Sequence, residues 1–568
     1  MKKYIFFLVV AIVSVTMPVS ARRPKTLHVV TTGDVHGAFF DRPYVEDGNA
    51  RNSLFAVYHY VDSLRAAVGK DNVLLLDAGD VLQGDNATYY YNYVATDSPH
   101  IYPMLADYMG YDAVTVGNHD IETGHPVYDR ISAALSAYGI PLLGGNVVRT
   151  SDGGSYFPVY SVFRKAGMKV LVLGFENANM KSWLSEPLWE GLDFLSLVPF
   201  VQESVDKAVA AVKPDVTVVV MHSGVGEGDG KQYESQGLDV FDNLHGVDLL
   251  VCSHDHQRHV IKKDDRLLLD AGSRSAYVGH AVITVEKNGG RSLDGEVVRM
   301  DRSNIDEKMR DFFAPQFEAV KAFTCKEVGC FDMPLSTREA YVGMCDYVGL
   351  VHTVQIGVPE AEISFAAPLT FNGHVKQGTV IFNDMFTIYP YENQMSVVRM
   401  TGSEIKNYLE YSYDQWIQTP GEHVLKIAPR GDSGKWSFVS RSYNFDSAAG
   451  INYTVDVTKP FGERIAISSL ADGREFKNDA EYAVAMTSYR ANGGGGLMLK
   501  GAGISREETQ ARTIALYPEI RELIYQYIKE KGTITTSMVN DASVVGSWKF
   551  VPEEIAGPLM DKDMDLVF

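Results

Sequence analysis

Five short stretches of the chain bring acids and histidines together in patterns that suit metal chemistry. They are Gly33-Asp34-Val35-His36-Gly37, Asp77-Ala78-Gly79-Asp80, Gly117-Asn118-His119-Asp120, the lone His222, and Ser253-His254-Asp255-His256. Carboxylates supply hard oxygen ligands, imidazoles supply nitrogen, and Asn118 supplies a neutral carbonyl oxygen. This mixture suits zinc, manganese, iron or cobalt better than calcium. Asp34/His36 and His254/His256 stand two residues apart, which puts both side chains on one side of extended backbone. Asp34, His36, Asp80, Asn118, His222, His254 and His256 are too many donors for one ion of about four to six ligands. They suit two divalent ions that share a carboxylate. Any one stretch alone would more often be structural, so the assignment rests on their shared setting.

That setting is a strand end. The apolar bursts Leu27–Thr31, Val73–Leu76, Ala113–Val116, Val216–Met221 and Leu249–Cys252 each lead directly into one stretch, and Val170–Phe175 lies between them. Short β-branched runs bounded by Gly, Asp or Asn read as buried strands. The segments Leu54–Val68 and Val201–Val212 have helical character, so the chain from Thr26 to about Val285 reads as a layered α/β domain. Ligands in open α/β sheets collect beyond the carboxyl ends of strands, which would carry all five stretches to one crevice. Asp306 to about Lys326 reads as a charged amphipathic helix with Met309, Phe312, Phe313, Phe317 and Val320 near helical spacing, and serves as the candidate linker. Beyond it, strands mix with helices. Thr401-Gly402-Ser403-Glu404 reads as a helix start with Ile405, Tyr408 and Leu409 on one face, and Pro518–Lys529 as a late helix. Residues 531–568 are less patterned and are expected to wrap back onto the body.

The composition sets outer bounds. With 52 basic and 72 acidic side chains the net charge is −20, which disfavours nucleic-acid duplexes but leaves room for small anions where a metal or local cations offset the field. A chain 45% apolar and 22% charged is neither collagen-like nor wholly disordered. Lys2 and Lys3, the apolar run Ile5–Met17, and Val19 and Ala21 before a cut read as a secretory signal peptide over residues 1–21. No later run reaches the roughly 18 apolar residues of a membrane span, so the mature protein is expected to be periplasmic or extracellular, with no stable membrane insertion. Export permits disulfides. A Cys325–Cys330 bridge and two free thiols both fit the spacing, and there is no paired-Cys zinc motif.

In order, GDVHG, GDVLQG, GNHD, His222 and SHDH resemble the motifs of calcineurin-like metallophosphoesterases. Over roughly residues 26–525 the chain resembles the exported bifunctional metallophosphatase/5′-nucleotidases. The resemblance implies an α/β layered β-sandwich metallophosphoesterase domain with flanking helices over residues 22–304. A linker helix (305–335), a mixed α+β C-terminal substrate-binding domain (336–530) and an extension (531–568) would follow. It implies one metal held by Asp34, His36, Asp80 and His256, and a second held by Asp80, Asn118, His222 and His254, with Asp80 bridging. Two such cations lower the pKa of a water and offset charge on the phosphoryl oxygens. His119 would stabilise the transition state or protonate the leaving group, with Asp120 orienting it. Ser253 stands where the motif usually has Gly, which leaves both neighbouring histidines in place.

Specificity must come from elsewhere. Tyr443-Asn444-Phe445-Asp446 and the stretch from Thr487-Ser488-Tyr489-Arg490 to Gly493-Gly494-Gly495-Gly496 stand out. A glycine run after a strand lets backbone approach a ligand, and tyrosines beside it can stack on a planar base for about 1–3 kcal/mol each. The resembled family clamps the nucleobase between two aromatics, and Tyr443 and Tyr489 match those places. Arg490 either contacts substrate or only packs. The 5′-nucleotidase pattern has an Asn-Gly-Gly-Gly-Ile-Arg stretch whose Arg binds phosphate. Here Ser364-Phe365-Ala366-Ala367-Pro368-Leu369 has no Arg. That segment, with Tyr389-Pro390-Tyr391-Glu392-Asn393 and Tyr489-Arg490-Ala491, resembles the 2′,3′-cyclic-nucleotide 2′-phosphodiesterase/3′-nucleotidase branch. The expected activity is hydrolysis of 2′,3′-cyclic nucleotides and 3′-nucleotides to nucleoside and phosphate. A 5′-nucleotidase or nucleotide pyrophosphohydrolase is the alternative on the same scaffold. A non-catalytic nucleotide-binding protein conflicts with the intact ligand set, and a sulfur-ester hydrolase with the paired tyrosines. The sequence leaves the oligomeric state open.

Overall fold

Strands buried on both faces account for the β-branched runs. The computed structural model describes residues 24–45, 48, 50–286, 289–430 and 434–568; the leader expected at residues 1–21 lies outside them. Strands β1 (Lys25–Thr32), β2 (Val73–Asp77), β3 (Ala113–Thr115) and β4 (Leu142–Leu143) belong to one six-stranded sheet. Strands β5 (Tyr160–Lys165), β6 (Met168–Phe175), β7 (Val216–Met221), β8 (Leu249–Cys252), β9 (Arg258–Lys263) and β10 (Arg266–Ala271) form a second. β11 (Tyr277–Val285) and β12 (Arg291–Arg299) return to the first. The orders are β12-β11-β1-β2-β3-β4 and β9-β10-β8-β7-β6-β5. Neighbours β1–β2–β3 and β6–β7–β8–β10 run parallel, while β11 against β1, β5 against β6 and β9 against β10 run antiparallel.

The alternation along each strand builds the layers. Leu27, Val29, Leu74 and Leu76 meet Val170, Val172, Val218, Val220, Leu249 and Val251 between the sheets. The intervening residues Val30, Val73 and Leu75 pack beneath the helices Leu54–Val68 and Ile101–Met109. On the far side Leu171, Leu173, Val219 and Met221 pack against the helix Leu197–Val212. The result is helix, sheet, sheet, helix, with the parallel strands at the centre.

The segment read as a linker is two helices, Glu307–Phe312 and Ala314–Thr324, broken beside Pro315. Met309, Phe313, Phe317 and Val320 are buried in the core of the first domain, whereas Phe312 is 58% exposed. Phe323, near its end, meets Phe382 of the second domain with ring centroids 4.2 Å apart. That domain is built on β13 (Ile363–Ala366), β14 (Gln394–Thr401), β15 (Ser447–Ala449), β16 (Glu481–Thr487) and β17 (Thr513–Glu519), in the order β15-β13-β16-β14-β17. The helix Gly402–Trp416 starts where expected, with Thr401 and Glu404 forming a reciprocal cap. Pro518 instead lies in β17, one residue before its end, on an edge strand that tolerates a residue without an N–H, and the helix begins at Ile520.

Residues 531–568 fold back as expected. Thr533–Ile534 pairs with Glu327–Phe331, and Gly546–Val551 runs parallel to Ile451–Asp456. Trp548, Phe550, Ala556 and Met560 share a core with Tyr413 and Trp416. All four cysteines are free thiols, which settles the Cys325–Cys330 alternative. Among the described residues no helix is long and apolar enough to cross a membrane. Leu269 is fully buried between the sheets. Leu269→Ala should lower the stability of the first domain by about 2–5 kcal/mol, measured by urea unfolding.

Candidate active site

The loops that leave β1, β2, β3, β7 and β8 meet at one edge of the sandwich. The first two are laced by backbone: the amides of Asp34, His36 and Gly37 donate to the carbonyls of Gly79, Asp80 and Val81 at 2.9, 2.9 and 3.1 Å. Asp34, His36, Asp80, His254 and His256 all sit in left-handed backbone, with φ of 48°, 46°, 58°, 86° and 59°. Such strain costs about 1–3 kcal/mol per residue, persists only where the surroundings over-determine it, and clusters at functional sites. Gly117 meets a different constraint, because a Cβ there would lie 2.3 Å from Asp80 Oδ1.

The side chains form two groups, Asp34 with His36 and His256, and Asp80 with His222 and His254. In the first, His36 Nε2 lies 3.0 Å from His256 Nε2 and 3.8 Å from Asp34 Oδ1. His256 Nε2 lies 3.6 Å from the same oxygen. In the second, His222 Nε2 lies 3.1 Å from Asp80 Oδ2 and 3.1 Å from Asn118 Oδ1. His254 Nδ1 lies 2.8 Å from Asn118 Oδ1. The outward nitrogens set the tautomers. His36 Nδ1 donates to the Gln83 carbonyl at 3.1 Å and His222 Nδ1 to the Ala78 carbonyl at 2.8 Å, so each Nε2 faces inward; burial keeps His36 neutral with a bare lone pair there, whereas at His222 burial is outweighed by Asp80, which raises its pKa and marks a place for positive charge beside Nε2. Asp34 Oδ2 accepts from Ser253 Oγ at 2.5 Å and from the His254 amide at 2.8 Å. Its buried Oδ1 has no hydrogen-bond partner. Lone pairs converging in this way fit divalent transition metals, which need such donors and satisfy the orphaned oxygen.

His119 lies beside this cluster, its amide donating to Asp80 Oδ1 at 2.8 Å. Its ring partner differs from the one expected. His119 Nδ1 is 2.5 Å from Glu122 Oε2. Asp120 faces the other way and accepts from the amides of Gly117, Asp80, Val81 and Leu82 at 2.9, 3.0, 2.9 and 2.9 Å. Consecutive helical residues point about 100° apart, whereas residues three apart are neighbours, so Glu122 and not Asp120 orients the imidazole. Asp120 instead holds the loop that carries Asp80. Burial opposes a charge on His119, but the Asp80 and Glu122 carboxylates outweigh it and raise its pKa to about 10.

A cleft of about 710 Å³ runs from Asp80, Asn118, His119, His254 and His256 to Tyr443 and Tyr489 in the second domain. Trp183 lines it and stacks on His254 at 5.1 Å and 22°; nothing in the sequence marked this Trp. Glu234 also lines the cleft, and burial raises its pKa. Tyr489 lies flat on the glycine run, since a Cβ on Gly494 would be 2.5 Å from its ring carbons. Arg490 commits all five of its N–H groups inside the protein. Nε and Nη2 donate to Asp446 Oδ2 and Oδ1 at 2.9 and 3.0 Å, and Nη1 donates to Asn444 Oδ1 and the Gly494 carbonyl, each at 3.1 Å. Nη2 also donates to the Tyr443 carbonyl. No donor remains for a substrate, so of the two roles open to Arg490 the structure favours packing: it braces the Tyr443 turn against the Tyr489 helix and does not reach substrate. The stretch that lacks the family's Arg gives the cleft an apolar wall of Phe365, Ala366, Ala367 and Leu369.

The two acids on the His119 helix therefore have separable effects. Glu122→Ala should lower kcat by about tenfold or more with metal content intact. Asp120→Ala should weaken metal retention by about 10–100-fold. Metal analysis of the purified variants beside steady-state rates checks both.

Residues 27–258 match the family of calcineurin-like phosphoesterases, and residues 325–501 match the 5′-nucleotidase C-terminal domain. The chain is 24% identical to the trifunctional nucleotide phosphoesterase protein YfkN of Bacillus subtilis, over 99% of this chain but only 42% of that longer protein. It is 22% identical to the 2′,3′-cyclic-nucleotide 2′-phosphodiesterase/3′-nucleotidase of Haemophilus influenzae, over 93% of this chain and 87% of the relative. The crystal structure of a 5′-nucleotidase precursor from Thermus thermophilus shares the fold, with a TM-score of 0.61 at 19% identity over 93% of this chain and 100% of that one. The chain thus joins a calcineurin-like phosphoesterase domain to a 5′-nucleotidase-type C-terminal domain, the two-domain make-up of a phosphoric ester hydrolase.

Proposed function

We propose that this protein is an exported nucleotide phosphoesterase that opens 2′,3′-cyclic nucleotides and removes the resulting 3′-phosphate. The observation that carries the reading is one cleft that joins the metal-type donors to Tyr443 and Tyr489, with an apolar wall where a 5′-nucleotidase would place its Arg. Asp34, His36, Asp80 and His256 would hold one divalent ion, and Asp80, Asn118, His222 and His254 a second. Zinc, manganese, cobalt or iron suits these donors. When bound, such a pair polarises phosphoryl oxygens and activates a water.

The chain's own residues supply the rest. His119, held by Glu122 at the cluster's edge, is placed to give a proton to the departing sugar oxygen. Tyr443 and Tyr489 take the base, and the Arg490–Asp446 pair fixes the spacing between them. The acidic surface excludes duplex nucleic acid, and the basic, apolar start of the chain addresses it for export.

Phosphate release from 2′,3′-cyclic AMP (coupled to a monoesterase), 3′-AMP and 5′-AMP, with manganese or zinc present, tests the reading. Preference for the first two is expected; preference for 5′-AMP overturns the branch and leaves the site standing. Asp80→Ala should abolish metal binding and turnover together. Tyr489→Ala should weaken nucleotide binding, by about 1–3 kcal/mol, while sparing a small artificial phosphate ester. Equal losses on both substrates would remove Tyr489 from the base site.

A further inference from the structure

The apolar wall from Phe365 to Leu369 has one polar neighbour behind it. The helix Asp346–Ile356 presents Val351 and, one turn on, Gln355 to the cleft. Gln355 is fully buried, and its Nε2 has no hydrogen-bond partner among the described residues. Buried amide groups are nearly always paired, so an unpaired N–H2 at the edge of a cleft needs an explanation.

The amide is held in one direction from behind. Ser364, which opens the wall, donates its single hydroxyl proton to Gln355 Oε1 at 2.5 Å. Ser364 Oγ also lies 2.8 Å from His352 Nδ1, and with its proton already given it accepts there from Nδ1–H. Burial lowers the pKa of His352 to about 3, so the ring is neutral and its Nε2 keeps a lone pair. Ser447 Oγ lies 3.2 Å from that nitrogen and donates to it; the other acceptor within its reach, the Ala366 carbonyl, is farther, at 3.4 Å. All four side chains are buried. The protons therefore run one way from Ser447 through His352 and Ser364, bonds in such a chain reinforce one another, and it ends on the two N–H groups of Gln355.

The same chain shows where the amide stands. Ser364 and Ser447 belong to the paired strands β13 and β15, and Ser447 follows Asp446, which Arg490 grips beside the Tyr443 turn. The metal-type donors, by contrast, belong to the first domain. A neutral amide in an apolar wall does not offset the charge of a phosphate, so it suits a neutral acceptor. We propose that Gln355 is a substrate-binding residue that donates from Nε2 to a neutral acceptor atom of the nucleoside, and that His352, Ser364 and Ser447 position it. The proposal rests on the nucleotide reading above. The ligand class is a nucleoside phosphate whose sugar or base, and not its phosphate, lies against this wall.

Gln355→Met keeps the length of the side chain and removes both donors, and thermal unfolding of the metal-loaded full chain checks its folding. KM for 3′-AMP should rise roughly three- to tenfold, with kcat held within about twofold. Competitive inhibition by adenosine should weaken in step with that KM. The effect on p-nitrophenyl phosphate, which carries no nucleoside, should stay below about twofold. Ser364→Ala leaves the amide but frees its direction, so it should raise KM in the same sense, and the double variant should lose less than the product of the single effects. Equal KM effects on 3′-AMP and 3′-UMP assign the acceptor to the sugar, and unequal effects assign it to the base. If Gln355→Met melts early, Gln355→Glu, which keeps an oxygen for Ser364 and gives up the donors, takes its place with the same rise expected. An unchanged KM for 3′-AMP in the folded variant, or an equal loss on p-nitrophenyl phosphate, overturns the proposal. The nucleotide reading fails by a different result: a wild type that neither prefers 3′-AMP to p-nitrophenyl phosphate nor is inhibited by adenosine overturns that reading and the proposal with it, whereas a nucleotide preference that survives intact in Gln355→Met overturns the role of Gln355 alone.

Discussion

Lone pairs that face one another repel unless a cation or a proton lies between them, and this structure is organised around a cluster of them. His36 and His256 point Nε2 at Nε2, Asp34 leaves a buried oxygen without a partner, and Asn118 Oδ1 sits between two histidines. Such a cluster would relax apart if its loops were free. The loops are held by bonds made outside it: Ser253 and the His254 amide on Asp34, four amides on Asp120, and carbonyls that fix two histidine tautomers. Five donors also carry left-handed backbone. Strain of that kind is sustained by a rigid frame, and two sheets buried on both faces provide one.

Much of that frame is written in residue types. A strand covered on both faces needs apolar residues at consecutive positions, so β1, β2, β7 and β8 stand out as β-branched runs that stop at an Asp or His. The ligand set is legible for the same reason, because coordination chemistry restricts which residue types can serve. Relations between neighbours are harder to read. Asp120 adjoins His119 in sequence, yet the helix turns the two apart and brings Glu122 round. The i, i+3 spacing was present, but the helix register needed to use it was not. Arg490 lies next to Tyr489 in the candidate base site, and only the positions of Asp446, Asn444 and the Tyr443 carbonyl show that its donors are consumed. Strands such as β9, exposed on alternate positions, and residues 531–568 lack the apolar runs that mark buried strands.

The second domain sets where the base can lie relative to the cluster, so contacts between domains become part of the chemistry. Tyr93 donates to Glu392 Oε2 at 3.2 Å and Ser185 to Gln394 Oε1 at 2.6 Å. Arg521 is buried against Glu392 at 3.1 Å and lies over the rings of Tyr89 and Phe386, 4.9 and 4.3 Å from their centroids. A buried ion pair contributes little net stability, and its usual value is to specify one arrangement over others. Here it joins a tyrosine of the first domain to the segment that also presents Tyr391 and Asn393 to the cleft.

Charge completes the argument. The chain carries −20, and its cleft adds carboxylates of its own, so an anionic substrate meets an unfavourable field from both. Among the candidate ligands the formal charges are those of Asp34 and Asp80, and two divalent ions outweigh two carboxylates. The sign of the field at the reacting phosphate therefore depends on metal occupancy, and that positive region ends where the donors end. Beyond it the apolar wall from Phe365 to Leu369 neither attracts nor solvates phosphate. Any negative group lying between the metals and the tyrosines needs cations from the protein, and Arg441 lines the cleft two residues before Tyr443. A nucleotide with its phosphate at the metal donors and its base at the tyrosines would bridge the two domains.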